Sequence, residues 1–290
     1  MARHTETRRL RWALLISAVY FFAELIAGFL TNSLALLSDA GHMLSDIGAL
    51  SLSLFAFRMA RRPATVQSTY GFHRFEILAA LFNGLTLWLI VGVIFAAAYG
   101  RLFHPPEVQS QGMMVVAVLG LVVNLVAVMI LHRGHHHNLN LRGAFLHVVS
   151  DAIGSVGAIA AGAIMLTTGW FLADPLISIF IGVLILFSSW SLVRDSLSVL
   201  MQTVPKGIRL EDVRRTIESV DGVSAVHDLH VWAVTSDIFT LSAHAVVSNG
   251  GDFHGVLNGI EDTLKLQYNI EHITIQLETE SREEKEFKDF

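Results

Sequence analysis

Six stretches of this chain are predominantly apolar. They run over roughly residues 11–30, 34–57, 76–100, 112–131, 144–168 and 176–199. At 1.5 Å of rise per residue, each is about long enough to cross the hydrocarbon of a bilayer as a helix. Turn residues break them apart at Thr31-Asn32-Ser33, Pro105-Pro106 and Asp174-Pro175. The pattern changes after Pro205. Residues 209–220 read as a helix, 225–234 and 238–247 as strands linked by Thr235-Ser236-Asp237, 252–267 as a helix and 271–278 as a last strand. The order α-β-β-α-β predicts a small open sheet covered by helices on one face.

Composition agrees with the apolar pattern. Hydrophobic residues make up 53% of the 290 and charged residues 16%, too few charges for an ordinary soluble domain. There is no cysteine, so disulfides and thiolate metal sites are excluded. The start, MARHTETRRLRW, runs into the first apolar stretch without a small-residue cleavage motif, so it is not expected to be a removed signal peptide.

Charge predicts orientation. Arg3, Arg8, Arg9, Arg11, Arg58, Arg61, Arg62, Arg74, Arg133 and Arg142 fall on the N-terminal segment and alternate connections, whereas the opposite connections carry only Arg101. Positive residues favour the cytoplasm, which places both termini inside. From Lys206 onward there are 16 acidic and 8 basic residues. That balance predicts a soluble, acidic cytoplasmic domain and no nucleic-acid partner.

Two of the apolar stretches contain a matched polar phrase, HMLSD at 42–46 and HVVSD at 147–151. Residues four apart share one face of a helix. His42 and Asp46 then point one way, as do His147 and Asp151, and antiparallel second and fifth helices can bring the two faces together. Two imidazoles and two carboxylates form a tetrahedral N2O2 set, suited to zinc and poorly suited to calcium or magnesium. Ionisable groups within membrane spans are rare and usually functional. Their neighbours Ala40, Gly41, Gly48, Ala49, Gly143, Ala144, Gly154 and Gly157 are small, which allows close helix approach with or without a metal. Neutral imidazole binds metal and protonated imidazole does not, so exchange of a proton for the ion is chemically natural.

Several other polar residues stand out. Asp39 reads either as a cation attractor or as a helix-start cap. Glu24, Asn83 and Asn124 read as inter-helix hydrogen-bond partners. The stretch His132, His135, His136, His137 reads equally as a weak metal-collecting loop or a plain polar one. An intramembrane metallohydrolase needs an open ligand position and a general base; HExxH is absent and no nucleophilic Ser or Cys setting is present. A sensor that binds without transporting does not need proton-labile ligands in a membrane core.

The segments SLALLSDAGHMLSDIGALSLSL, YGFHRFEILAALFNG, LRGAFLHVVSDAIGSVGAI and VHDLHVW resemble the cation diffusion facilitator family, most closely its zinc-transporting branch, over about residues 10 to 280. The resemblance implies an α-helical membrane protein of six transmembrane helices over 1–204. A cytoplasmic α+β domain, αββαβ and metallochaperone-like, follows over 205–290 and serves regulation and dimerisation. It implies a homodimer in the bilayer and zinc–proton antiport that exports zinc from the cytoplasm by alternating access. His42, Asp46, His147 and Asp151 match the transport-site ligands. Some relatives have Asp at the position of His42, and the His form is associated with zinc preference. In the cytoplasmic domain His227, His244, His272 and Glu278 match positions that relatives use for metal, and His254, opening a helix, could join them. His73, beside Arg74 and Glu76, lies where some relatives bind a metal, but the full ligand set is not matched and no strong site is expected there. Trp232 is expected in the core or a dimer contact. Zinc is the expected cargo and regulatory ion, no organic cofactor is expected, and a bacterial inner membrane fits the short loops.

Overall fold

The structure, a computed structural model, describes residues 18–132, 139–248 and 252–279. The chain divides into two compact units, Met1–Leu52 with Phe82–Leu192, and Ser53–Leu81 with Val193–Phe290. The basic N-terminal run Arg3 to Arg11, Arg133 and the imidazoles His135, His136 and His137 lie outside the described residues, as do the side chains of His132, Arg142 and His147.

The apolar stretches form α1 (Ala18–Thr31), α2 (Leu34–Ala60), α3 (Phe75–Phe103), α4 (Ser110–His132), α5 (Leu139–Thr168) and α6 (Ala173–Leu200). By length and composition, α2, α3, α6 and the Val148–Thr168 part of α5 suffice to cross a membrane, while Ala18–Thr31 and Ser110–Val126 are shorter apolar helices. In the first unit Leu36, Val91, Met113, Met165 and Ile181 fill a core. Phe29, Leu89, Met129 and Phe187 stay exposed, the outward apolar surface that a lipid-facing bundle needs and a water-facing one avoids. Gly157 on α5 faces α6 so closely that a Cβ there would come 2.6 Å from Ile177 Cδ1.

The turn between α1 and α2 shows how local sequence sets a junction. Asn32 takes a left-handed φ of 55°. Ser33 N donates to Gly28 O at 3.1 Å and Asn32 N to Phe29 O at 3.3 Å, a left-handed helix stop with Asn in the place usually held by Gly. Ser33 Oγ then accepts from Leu36 N at 3.3 Å, capping the start of α2. Asp174-Pro175, expected as a break, instead sits in the first turn of α6, where proline's missing N–H has no intrahelical partner to lose.

In the second unit, α7 (Leu210–Glu218), β1 (Val223–Thr235), β2 (Ile238–Val247), α8 (Phe253–Tyr268) and β3 (Ile270–Glu278) follow the expected order. β1 and β2 form an antiparallel hairpin, and β3 lies parallel to β2, giving sheet order β1-β2-β3. The parallel step requires a crossover, which α8 supplies. Asp252 caps α8 by accepting from Gly255 N at 3.0 Å, and Asn269 ends it in a left-handed conformation. Leu241, Ala243, Ala245 and Val247 of β2 alternate onto the face packed with Val213, Ile217, Ile260 and Leu264 of the helices. The intervening Ser242, His244 and Val246 occupy the other face.

Candidate metal centres

In the first unit the matched phrases fall on α2 and α5, as their spacing predicts. His42 Nε2 lies 3.7 Å from Asp151 Oδ1, with both side chains 13% exposed. Two ligands about 2.1 Å from a tetrahedral zinc ion stand roughly 3.4 Å apart, so this pair is spaced almost as one edge of a zinc tetrahedron. Asp46 lies one turn beyond His42 on α2, and His147 one turn before Asp151 on α5; the side chain of His147 is among those not described.

The flanking polar residues hold these helices in place. Ser45 Oγ donates to Asn83 Oδ1 on α3 at 3.0 Å, and Asn124 Nδ2 on α4 donates to Ser155 Oγ on α5 at 3.4 Å. Both are the inter-helix links expected of those asparagines. Glu24, 1% exposed, accepts from Tyr20 Oη of its own helix at 3.1 Å and also hydrogen-bonds Asp39 of α2, the inter-helix link expected of it. Asp39 is buried past the first turn of α2, which rules out the helix-start cap; Ser33 and Asp174 fill that role.

Asp174 was not singled out by sequence. It is fully buried at the start of α6, and its Oδ1 accepts from Ser33 Oγ at 2.7 Å and Ala35 N at 3.2 Å. Oδ2 accepts from Leu34 N at 2.8 Å and pairs with Arg101 Nη1 at 3.3 Å. Arg101 also donates to Asn32 O at 2.6 Å and to Asn32 Oδ1 at 3.0 Å. One carboxylate on α6 thus caps the N-terminus of the helix that carries His42 and Asp46. Only an Asp-Pro helix start hinted at it, and nothing in the linear sequence pairs it with Leu34.

In the second unit, His227 and His244 are direct cross-strand partners, and Glu278 ends β3 beside them. His227 Nε2 lies 3.3 Å from Glu278 Oε2, and His244 Nδ1 lies 3.4 Å from Glu278 Oε1. A donor atom from each of the three lies within 4.8 Å of the others. Glu278 and His227 are buried and His244 is partly so. Two imidazoles and a carboxylate are a donor set that zinc accepts, and at these separations they can supply three of its four positions, with one left for water or another ligand.

The structure does not bring His254 or His272 into this group. His254 is exposed in the first turn of α8. His272 pairs with Thr240, four residues along the ladder from the His244 row, and its ring packs edge-on against Tyr70 at 5.3 Å. Trp232 is partly buried opposite Thr240. Glu76, near His73, accepts instead from Thr235 Oγ1 at 3.0 Å.

Two regions of the chain match families of known proteins. Residues 10–201 match the cation efflux transmembrane domain and residues 205–280 match the cation efflux protein cytoplasmic domain. The "Cadmium, cobalt and zinc/H(+)-K(+) antiporter" of Bacillus subtilis is 46% identical over 267 residues, covering 90% of this chain and 86% of that protein. The "Metal cation efflux system protein CzcD" of Cupriavidus metallidurans is 43% identical over 272 residues, covering 93% and 86%. "Zinc transporter ZitB" of Escherichia coli is 41% identical over 276 residues, covering 94% and 88%. The fold and these matches define a membrane-embedded cation transporter with an appended α+β domain. The chain belongs to the cation diffusion facilitator family, in its zinc-transporting branch.

Proposed function

We propose that this protein is a zinc/proton antiporter that exports zinc from the cytoplasm by alternating access, through a site built of His42, Asp46, His147 and Asp151. The observation that carries the reading is the 3.7 Å approach of His42 on α2 to Asp151 on α5, which joins the two matched phrases across the bundle at a separation suited to zinc. The names of the relatives, zinc transporters and a cation/H(+)-K(+) antiporter among them, support the same cargo and exchange. Zinc binds the neutral imidazoles and the carboxylates. Protons arriving from outside occupy the imidazoles and free the ion, so the proton gradient drives export. No step requires bond making or breaking in a substrate, so the protein acts as a transporter and not an enzyme.

In this reading residues 1–204 form the membrane domain and residues 205–290 the cytoplasmic domain, a division supported by where the two family matches meet. The arginine bias supports both termini on the cytoplasmic side, and the bacterial relatives support an inner membrane. The cytoplasmic domain family supports a homodimer, and the His227–His244–Glu278 cluster is a regulatory zinc centre.

The test is zinc flux into proteoliposomes with and without a pH gradient, for the parent protein and for Asp46→Ala and Asp151→Ala. Gradient-driven flux in the parent, lost in both variants, supports the antiporter and its site. Zinc binding without flux in a correctly inserted parent would replace it with a sensor.

A further inference from the structure

We propose that Asp228 and His230 form an outer, solvent-facing zinc position through which the buried His227–His244–Glu278 centre is loaded and unloaded. The proposal rests on the reading that this buried trio holds zinc.

The geometry begins with a spacing that should not work. His227 and His230 are three apart, and on a regular strand they would face opposite sides of the sheet. The pairing of β1 with β2 passes from His227↔His244 to His230↔Ser242, so β1 advances three residues while β2 advances two. One extra residue makes a β-bulge. Ser242 and His244 share a face of β2, so the bulge puts His227 and His230 on that same face.

Asp228 absorbs the extra residue with a φ of 47°. A left-handed backbone costs an ordinary residue about 1 kcal/mol and glycine nothing, so the bulge by itself has no need of a carboxylate. That carboxylate nevertheless turns toward the imidazoles. Its Oδ1 lies 2.8 Å from His230 Nε2 and its Oδ2 lies 3.8 Å from His244 Nε2.

Exposure falls steadily along the row. The His230 and Asp228 side chains are 58% and 41% exposed, that of His244 is 24%, and those of His227 and Glu278 are 8% and 3%. His230 also lines a cavity of about 340 Å³ with Ser242, Trp232 and Leu229, room for an ion and several waters at about 30 Å³ each. His244 stands between the two positions, with Nε2 toward Asp228 and Nδ1 toward Glu278. A neutral imidazole has one lone pair to give, so His244 ligates at one position at a time. Zinc is therefore held first by Asp228 and His230 with water completing its shell. It then passes His244 into the buried trio, and leaves by the reverse path.

The test is stopped-flow zinc association, and dissociation into a chelator, on the purified full-length protein. Asp46→Ala and Asp151→Ala silence the membrane site in every sample. His230→Ala removes an exposed outer ligand, and Asp228→Asn removes the charge while keeping a side chain that tolerates the left-handed backbone. Each variant is expected to slow association and dissociation together, by about tenfold, within the one to three decades that rates span among variants of one site. The dissociation constant should stay within about twofold, because an access residue lowers the barrier equally in both directions. Unchanged rates would overturn the proposal while leaving the trio standing. So would a weakened dissociation constant at unchanged association rate, which makes these residues supports of the buried centre. Absence of zinc binding in the parent, or binding that Glu278→Gln leaves intact, would overturn the trio reading and this proposal with it.

Discussion

The two candidate zinc sites are built from the same side chains by opposite means. On α2 and α5 each half-site is a His and an Asp four residues apart, and the helix itself aligns them. In the α+β unit His227, His244 and Glu278 are separated by a hairpin and a crossover, and only strand pairing brings them together. The first arrangement leaves a periodic trace in the chain; the second does not. In the proposed reading the first site lies between two helices, α2 and α5, an arrangement suited to a cargo that must be released. The other lies within one sheet and has an exposed flank, an arrangement suited to the regulatory role proposed for it.

That contrast is open to direct attack. The largest expected effect is on transport: Asp151→Ala should abolish zinc flux in proteoliposomes while zinc binding by the α+β unit persists. Flux surviving in this variant would dissolve the distinction between the sites. Conversely, Glu278→Gln should weaken zinc binding by the α+β unit about 100-fold, the upper range for disturbing a zinc ligand's surroundings. Titration calorimetry on protein lacking the membrane site measures this, and flux at saturating zinc should be retained. Next, Asp174→Ala removes the carboxylate that caps α2 and pairs with Arg101. Losing a cap costs about 1 kcal/mol and breaking a buried ion pair about 3–5 kcal/mol, so a clear fall in Tm in detergent is expected, larger than for Asp174→Asn, which keeps one accepting oxygen.

Acidification tests the ligand count. A protonated ring cannot bind metal, so affinity should fall as the solution is acidified. With two imidazoles at each site, zinc binding to either should displace two protons over the range in which the imidazoles are protonated and the carboxylates are not. A steeper dependence in the α+β unit would bring further histidines into its site. The smallest effect is expected from His254→Ala and His272→Ala, each shifting zinc affinity of that unit by less than about threefold, since neither ring lies with the trio; a tenfold loss in either would enlarge the centre.

Much of the architecture could be read from the chain. Over the described residues the six apolar stretches are helices, because bulk hydrophobicity over about 20 residues is a strong local signal. The αββαβ order followed from alternation and turn residues such as Thr235-Ser236-Asp237. Among site residues, the pairing of His227 with His244 was anticipated from their predicted strands. The exclusion of His272 was not, since the parallel register of β3 against β2 sets Glu278, and not His272, beside the two rings. Asp228 and His230 were not among the matched ligand positions, and their place beside His244 depends on a bulge that only the strand pairing shows, since three residues along a regular strand lead to the opposite face.

The linear sequence by itself determined the helical spans, the order of the small α+β unit and the two His-x-x-x-Asp faces, because each depends on contacts or periodicities within a few residues. Only the tertiary structure decided that His42 meets Asp151, that Asp174 caps a helix far from it in the chain, and which histidines join Glu278. Those outcomes depend on register, crossover and helix approach, which are settled by packing over the whole unit and leave no mark on any short stretch of chain.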